Sequence, residues 1–302
     1  MRPTGRLAVP ALVLLAAAAA PQAPPSTDVF LAPLASAGGR LELGAPVNVS
    51  KSPGYDNQPA FTPDNAGILF TSVRDGAELP DIYRYDIASR EVSRVTATPE
   101  GEYSPTPTPD GAGFSVIRVE ADGTQRLWRF TMAGTDLALV LADIKPVGYH
   151  AWIDDRTLAL FVLGRPATLQ MADTTTGRAE TVVGSIGRSL HRIPGRGTVS
   201  FVHKEDDAGW WVKEYDPQTK TIAPLVRTLD GSEDCAWTPD GRLLMGQGAK
   251  LFAWQPGGNA GWEEVANVAA AGLQSVTRLA VSPKGDWIAL VAQRPTPNAQ
   301  RP

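Results

Sequence analysis

A short turn-forming phrase recurs along this chain and constrains its fold more than any other feature. AFTPDNAGI begins at Ala60, TPTPDGAGF at Thr106, CAWTPDGRL at Cys235 and LAVSPKGDWI at Leu279. Proline presets φ at the second position of a type I turn, and Asp, Asn or Gly suits the positions that follow. With the residue leading into each turn as anchor, the chain supplies Phe61, Pro107, Trp152, Ile193, Trp237 and Val281. Consecutive anchors stand about 41 to 46 residues apart, the period of a four-stranded propeller blade. Two repeats have lost the phrase, at WIDDRTLALF from Trp152 and IPGRGTVSFV from Ile193, yet the strand after the turn still falls in register.

Strand-length alternating segments fill each repeat. In the first, QPAF reads as the innermost strand, ILFTSVR as the second, DIYRYDI as the third and EVSRVTAT as the outermost. The last repeat offers only VTRLAVS and WIALVAQ before the polar tail RPTPNAQRP. The missing pair stands at the other end, where DVFLAPL resembles a third strand and RLELGAPVNVS an outermost one. The expected fold is therefore all-β: a six-bladed propeller over residues 28–293, with four-stranded antiparallel blades. Its last blade is closed by the N-terminal strands. Closure removes free sheet edges, so a monomer is expected.

The first residues read as a leader rather than as part of the fold. Arg2 and Arg6 precede the apolar run LAVPALVLLAAAAA, and Ala17 and Ala19 form an A-x-A arrangement. Residues 1–20 are expected to be a signal peptide cleaved near Ala19 or Ala20, which implies a periplasmic or secreted protein with no membrane span in the mature chain. The tail is assigned to 294–302. Cys235 is the one cysteine, so packing and strand pairing must hold the fold without an internal disulfide. A net charge of −4 gives no electrostatic footprint for nucleic acid.

PAFTPDNAGILFTSVRDG, DIYRYDIASREVSRVT and AWTPDGRLLMG resemble the WD40-like propeller repeat of the TolB family, and the resemblance runs from Asp28 to Gln293. It implies a six-bladed ring. In that family an α/β domain precedes the propeller, and the whole works in the bacterial periplasm with membrane-associated partners. That α/β domain has no counterpart here between the leader and the first strand. The same repeats occur in propellers attached to serine peptidases, but no G-x-S-x-G elbow is present.

In a propeller the innermost strands line the axial channel, so the residues just before each anchor should rim its mouth. The candidate ligand-binding set is Asn57, Gln58, Tyr103, Ser104, Tyr149, His150, Ser189, His191, Glu233, Asp234 and Arg278. The same set also fits a hydrated channel whose polar groups bond to one another. On this alignment His150, His191 and Cys235 occupy equivalent positions, and imidazoles with a thiolate could ligate zinc beside Asp234 or Glu233. Equivalent positions on neighbouring blades stand far apart for ligand bonds of about 2 to 2.3 Å, and no close-spaced pair supports a centre. No cofactor is expected. His203, Asp154-Asp155, Asp206-Asp207 and Glu263-Glu264 read as structural, turn or edge residues.

Two function classes follow. The first is a non-enzymatic binding or scaffold propeller that holds a peptide, an envelope protein or a small polar ligand at the channel mouth. The second is a metal-dependent hydrolase or lyase of a sugar, lactone or ester. There Glu233, Asp234 and Asn57 would hold a divalent cation in the axial channel, and His150 would act as base.

Overall fold

The Thr62 hydroxyl explains why the turn phrase returns. In the computed structural model, which describes residues 26–205, 209–258 and 261–293, Thr62 Oγ1 donates to Asp64 Oδ1 at 2.6 Å. It also accepts the Gly67 N–H at 2.9 Å. Thr108 repeats the arrangement with Asp110 and Gly113, Thr238 with Asp240 and Arg242, and Ser282 with Asp286 and Trp287. Each hydroxyl closes its turn from inside, a contribution of about 1 kcal/mol per hydrogen bond.

The two divergent repeats keep the turn by other means. Ile153 N–H donates to Thr157 O at 2.9 Å and Ile193 N–H to Thr198 O at 3.0 Å, matching the backbone bond of Thr62 to Gly67 O. Their side chains are buried in the core instead of closing the turn. Backbone pairing and apolar burial replace the missing hydroxyl.

From these turns the chain builds six antiparallel sheets. The innermost strands are Asp56–Phe61, Gly101–Pro107, Val147–Trp152, Ile186–Arg192, Cys235–Trp237 and Val276–Val281. The first five blades each have four strands ordered from the channel outward. The sixth joins the chain ends: Asp28–Ala37 pairs with Trp287–Ala292, with Asp28 opposite Ala292 and Pro33 opposite Trp287. The segment expected as one outermost strand forms two, Arg40–Leu43 and Val47–Asn48, on different parts of Asp28–Ala37. Gly44 to Pro46 interrupts it. A Cβ on Gly44 would meet Pro33 at 2.9 Å, and Pro46 has no N–H to donate to the ladder.

The core lies between neighbouring blades rather than at the axis. Leu69 and Ile82 of the first blade pack with Phe114, Val116 and Phe130 of the second. Val29 and Val291 of the closing blade meet Phe61, Ile68 and Phe70 of the first. Each sheet is covered on both faces, so the second strand Gly67–Ser72 is buried at every residue. The axis is left to the polar ends of the innermost strands. Among the described residues, no helix is long and apolar enough to cross a membrane. The expected leader, the polar tail and Asp206-Asp207 lie outside the described residues.

Candidate functional site in the axial channel

Five of the six innermost strands carry a register irregularity where they approach the axis. A bulge adds a residue on one strand and re-aims the side chains around it. In the first two blades it places Gln58 (φ 55°) and Ser104 (φ 54°) in the left-handed region, at a cost of about 1 to 3 kcal/mol each. Hydrogen bonds across the blade boundary hold both in place. Ser104 N–H donates to Gln58 Oε1 at 2.9 Å and to Thr71 Oγ1 at 3.1 Å, and Thr71 Oγ1 donates to Gln58 Oε1 at 2.9 Å.

The fourth repeat corrects the sequence alignment by one residue. Arg192, not Ile193, pairs with Val199 as Phe61 pairs with Ile68. The place of His150 and Cys235 therefore falls to Leu190, and that of Glu233, Asn57 and Tyr103 falls to Arg188. A slip of one residue turns a strand's faces over, so the expected equivalence of His191 with His150 and Cys235 does not hold. Arg188 is the channel-lining residue hidden by that slip. A signal for it was present: aligning Pro194 with Pro63, Pro109, Pro239 and Pro283 gives the correct register.

Arg188 organises the centre of the channel. Its Nε donates to Asp234 Oδ1 at 3.2 Å and its Nη2 to Asp234 Oδ2, a bidentate pair. Its Nη1 stands 3.3 Å from Glu233 Oε1, and its backbone N–H donates to Glu233 Oε2 at 3.3 Å. Gly187 permits that approach, because a Cβ there would lie 2.6 Å from the Glu233 carboxylate. Lys204 Nζ reaches Glu233 at 2.8 Å from the second strand. Burial pushes Glu233 up, but the Lys204 hydrogen bond and the charges of Arg188 and Lys204 outweigh it and hold the carboxyl below its ordinary range. Arg278 Nη2 donates to Tyr149 Oη at 2.8 Å, its guanidinium stacks 4.9 Å from the Tyr149 ring centroid, and its Nη1 lies 3.6 Å from Asp234.

This layer divides the channel. Tyr149, Arg188 and Arg278 border two cavities at once. The cavity on the side of the recurring turns, about 460 Å³, is a funnel that also includes Gln58, Ser104, His150, Ser189, His191 and Asp234. The cavity at the opposite end, about 480 Å³, takes Asn57 and Tyr103 together with Tyr55, Thr27 and Thr277. Glu233 lines neither and stands behind Arg188. The eleven expected residues thus lie along the channel's length, in two compartments and the wall between them, rather than around one mouth.

The funnel wall is pinned from behind. Trp152 Nε1 donates to Ser115 Oγ at 2.9 Å and Trp237 Nε1 to Ser200 Oγ at 2.8 Å, in each case a serine of the preceding blade. His150 Nε2 also bonds Ser115 Oγ, at 2.6 Å, and burial pushes its pKa down to about 3. His191 Nε2 bonds Ser189 Oγ at 3.0 Å, and burial lowers it to about 4. Burial raises the Cys235 thiol to about 12, with its sulfur 3.4 Å from Ser189 Oγ. Both imidazoles and the thiol are therefore uncharged at neutral pH. Among the described residues, no group of three His, Cys, Asp or Glu side chains converges as a metal centre would require.

The remaining polar residues are turn and strand features. Asp154 accepts the Arg156 and Thr157 N–H groups, and Glu264 pairs with Lys250 at 2.8 Å on an outer strand. His203 lies between Phe201 and Glu205. Trp210 packs in the core between the fourth and fifth blades, while Trp211 lies under Arg227.

Six radial sheets, a closing blade shared by the chain ends and a channel divided by ion pairs define the class: a six-bladed propeller with two axial cavities. The putative TolB from Agrobacterium tumefaciens shares this architecture at a TM-score of 0.70 and 14% identity, over 90% of this chain and 100% of that one. The TolB from Acinetobacter baumannii gives 0.58 at 15%, over 90% of this chain and 66% of that chain. A putative gluconolactonase gives 0.54 at 11%, over 80% and 89%. No protein-family model matches the sequence, and no curated protein matches it. The TolB-type propeller expected from the turn phrases is the architecture found; at these identities the likeness concerns the fold alone.

Proposed function

We propose that this chain is an exported, non-enzymatic binding propeller that holds a segment of an envelope protein partner in the turn-side funnel. The observation that carries this reading is the funnel's construction. Its wall presents Trp152 and Trp237, held in fixed orientations by serine hydroxyls, among Pro59, Pro105, Pro107, Pro109 and Pro194. Rigid aromatic and proline surfaces lose little conformational entropy when a chain docks on them. The floor below supplies paired charges that can orient a polar group.

The chemistry of the funnel favours binding over turnover. A general base works best with a pKa near the operating pH, and burial holds His150 and His191 well below it. Glu233 and Asp234 already face Arg188, Lys204 and Arg278. A divalent cation would have to displace those cations to use the carboxylates, and Asn57 opens to the other cavity. These contacts weigh against the hydrolase reading with the roles expected for Glu233, Asp234, Asn57 and His150.

Capture of one defined partner from native envelopes tests the proposal. Arg192 is exposed beside the funnel. Arg192→Glu and Trp152→Ala should each reduce recovery of that partner at least tenfold, while Ile222→Ser, on an outer strand, leaves it unchanged. Equal recovery with all three variants would refute the site. Stoichiometric metal in the purified protein, together with a large thermal shift on chelation, would favour the hydrolase class.

A further inference from the structure

The cavity at the far end differs from the funnel in composition, and nothing in the proposed docking of a partner uses it. Its wall is built from three tyrosines, Tyr55, Tyr103 and Tyr149, with Asn57 beside them and the guanidinium groups of Arg188 and Arg278 at its base. At about 480 Å³ it falls within the range of small-molecule sites.

The charge at its base is not balanced. In the ion-pair layer at the base, Arg188, Arg278 and Lys204 carry three positive charges against two on Glu233 and Asp234; Glu78, which also lines the cavity, is exposed. Arg188 and Lys204 make the close contacts to those carboxylates. Arg278 does not: its nearest carboxylate oxygen is 3.6 Å away, beyond hydrogen-bond length, and its hydrogen bond goes to the Tyr149 hydroxyl. Its side chain is only 16% exposed. A mostly buried guanidinium with N–H donors to spare matches a single carboxylate.

The aromatic wall describes the rest of the ligand. The Tyr149 ring is held by Arg278 and by Phe161, whose ring centroid is 5.7 Å away with the two planes at 70°. The hydroxyls of Tyr55 and Tyr103 donate to no other described residue. Burial raises Tyr55 to about 12, so its phenol keeps its proton. Flat apolar faces with free phenolic donors near one cation fit a planar ring carrying an acid group. We infer that the far cavity is a binding site for a small aromatic monocarboxylate, its carboxylate on Arg278 and its ring between the tyrosines. The far cavity shares Tyr149, Arg188 and Arg278 with the funnel and is distinguished from it by Tyr55 and Tyr103, which do not line the funnel.

Calorimetric titration of the purified chain with benzoate and phenylacetate, against benzamide, phenylacetamide and inorganic phosphate, tests the assignment. The acids should bind at least tenfold more tightly than the amides and than phosphate. Arg278→Gln should weaken the acids about 10- to 100-fold, as loss of a charge-assisted pair predicts. Should that variant fold poorly, the conservative pair Tyr55→Phe and Tyr103→Phe gives an independent reading: together they should weaken the acids about three- to tenfold. Trp152→Ala, in the funnel, should leave acid binding unchanged. The assignment is overturned if neither acid binds by about 10 mM, if amides or phosphate match the acids, or if Trp152→Ala removes binding that the tyrosine variants retain.

Discussion

The two ends of the channel are made from the same six strands, yet they carry different chemistry. The turn-side funnel is walled by prolines and pinned indoles, while the far cavity is walled by tyrosines over a partly unpaired arginine. The strand bulges account for much of this. A residue added near the axis sends neighbouring side chains to different compartments, so Gln58 faces the funnel and Asn57 the far cavity. One repeat can thus supply residues to both compartments. Tyr149, Arg188 and Arg278 border both.

The largest expected effect comes from breaking that shared layer. Asp234→Ala leaves Arg188 and Arg278 facing each other without the carboxylate between them. Removing one partner of a buried pair costs about 3 to 5 kcal/mol; with Arg188 partly exposed, a loss of about 2 to 4 kcal/mol is expected in urea unfolding. A loss below about 0.5 kcal/mol would mean that the two cavities do not depend on this layer.

Acid titration sharpens the contrast between the channel wall and the blade interfaces. His150 is held neutral when folded, so the unfolded chain takes up its proton first. Stability from this residue is full above about pH 6.5 and declines as pH falls toward 3, by about 1.4 kcal/mol per unit. Glu102, buried between the first two blades near Arg118, has its pKa raised by burial to about 7. The folded state therefore binds its proton more readily, and its contribution falls as pH rises from about 4.5 to 7. His150→Asn should flatten the loss of stability on acidification and Glu102→Gln should steepen it. Same-sign changes in both variants would contradict the two environments.

Smaller effects are expected at the turns that edge the funnel. Thr238→Val removes the hydroxyl that bonds Asp240 and Arg242 and should cost about 1 kcal/mol. Ile153→Val, in a turn closed without a hydroxyl, removes one buried methylene and should cost about 0.5 to 1.5 kcal/mol. Thermal melts of the two variants should therefore shift by similar amounts, although one loses a hydrogen bond and the other packing.

Much of the ring was legible in the sequence because turn chemistry and strand alternation are local. Thr62, Thr108, Thr238 and Ser282 announce themselves through the Pro and Asp or Gly that follow. Strand closure could be read from DVFLAPL because it resembles the third strand DIYRYDI of the first repeat. The split of the outermost strand at Gly44 was harder, since it depends on contact with Pro33 across the sheet. The site was legible only in residue types. Bulges leave no signature in one strand's own sequence, so the division of Asn57 from Gln58 was hidden. In the fourth repeat Ile193 mimics a strand residue while occupying the threonine's place in the turn, and that one-residue slip concealed Arg188.

The central claim is that Arg188 of the fourth blade and Asp234 of the fifth close the channel between its two compartments. A double-mutant cycle on Arg188→Gln and Asp234→Asn, read by urea unfolding, measures their coupling directly. A coupling of about 1.5 to 3 kcal/mol is expected for a bidentate, partly buried pair. Additive single-variant losses, with coupling below about 0.3 kcal/mol, would contradict it.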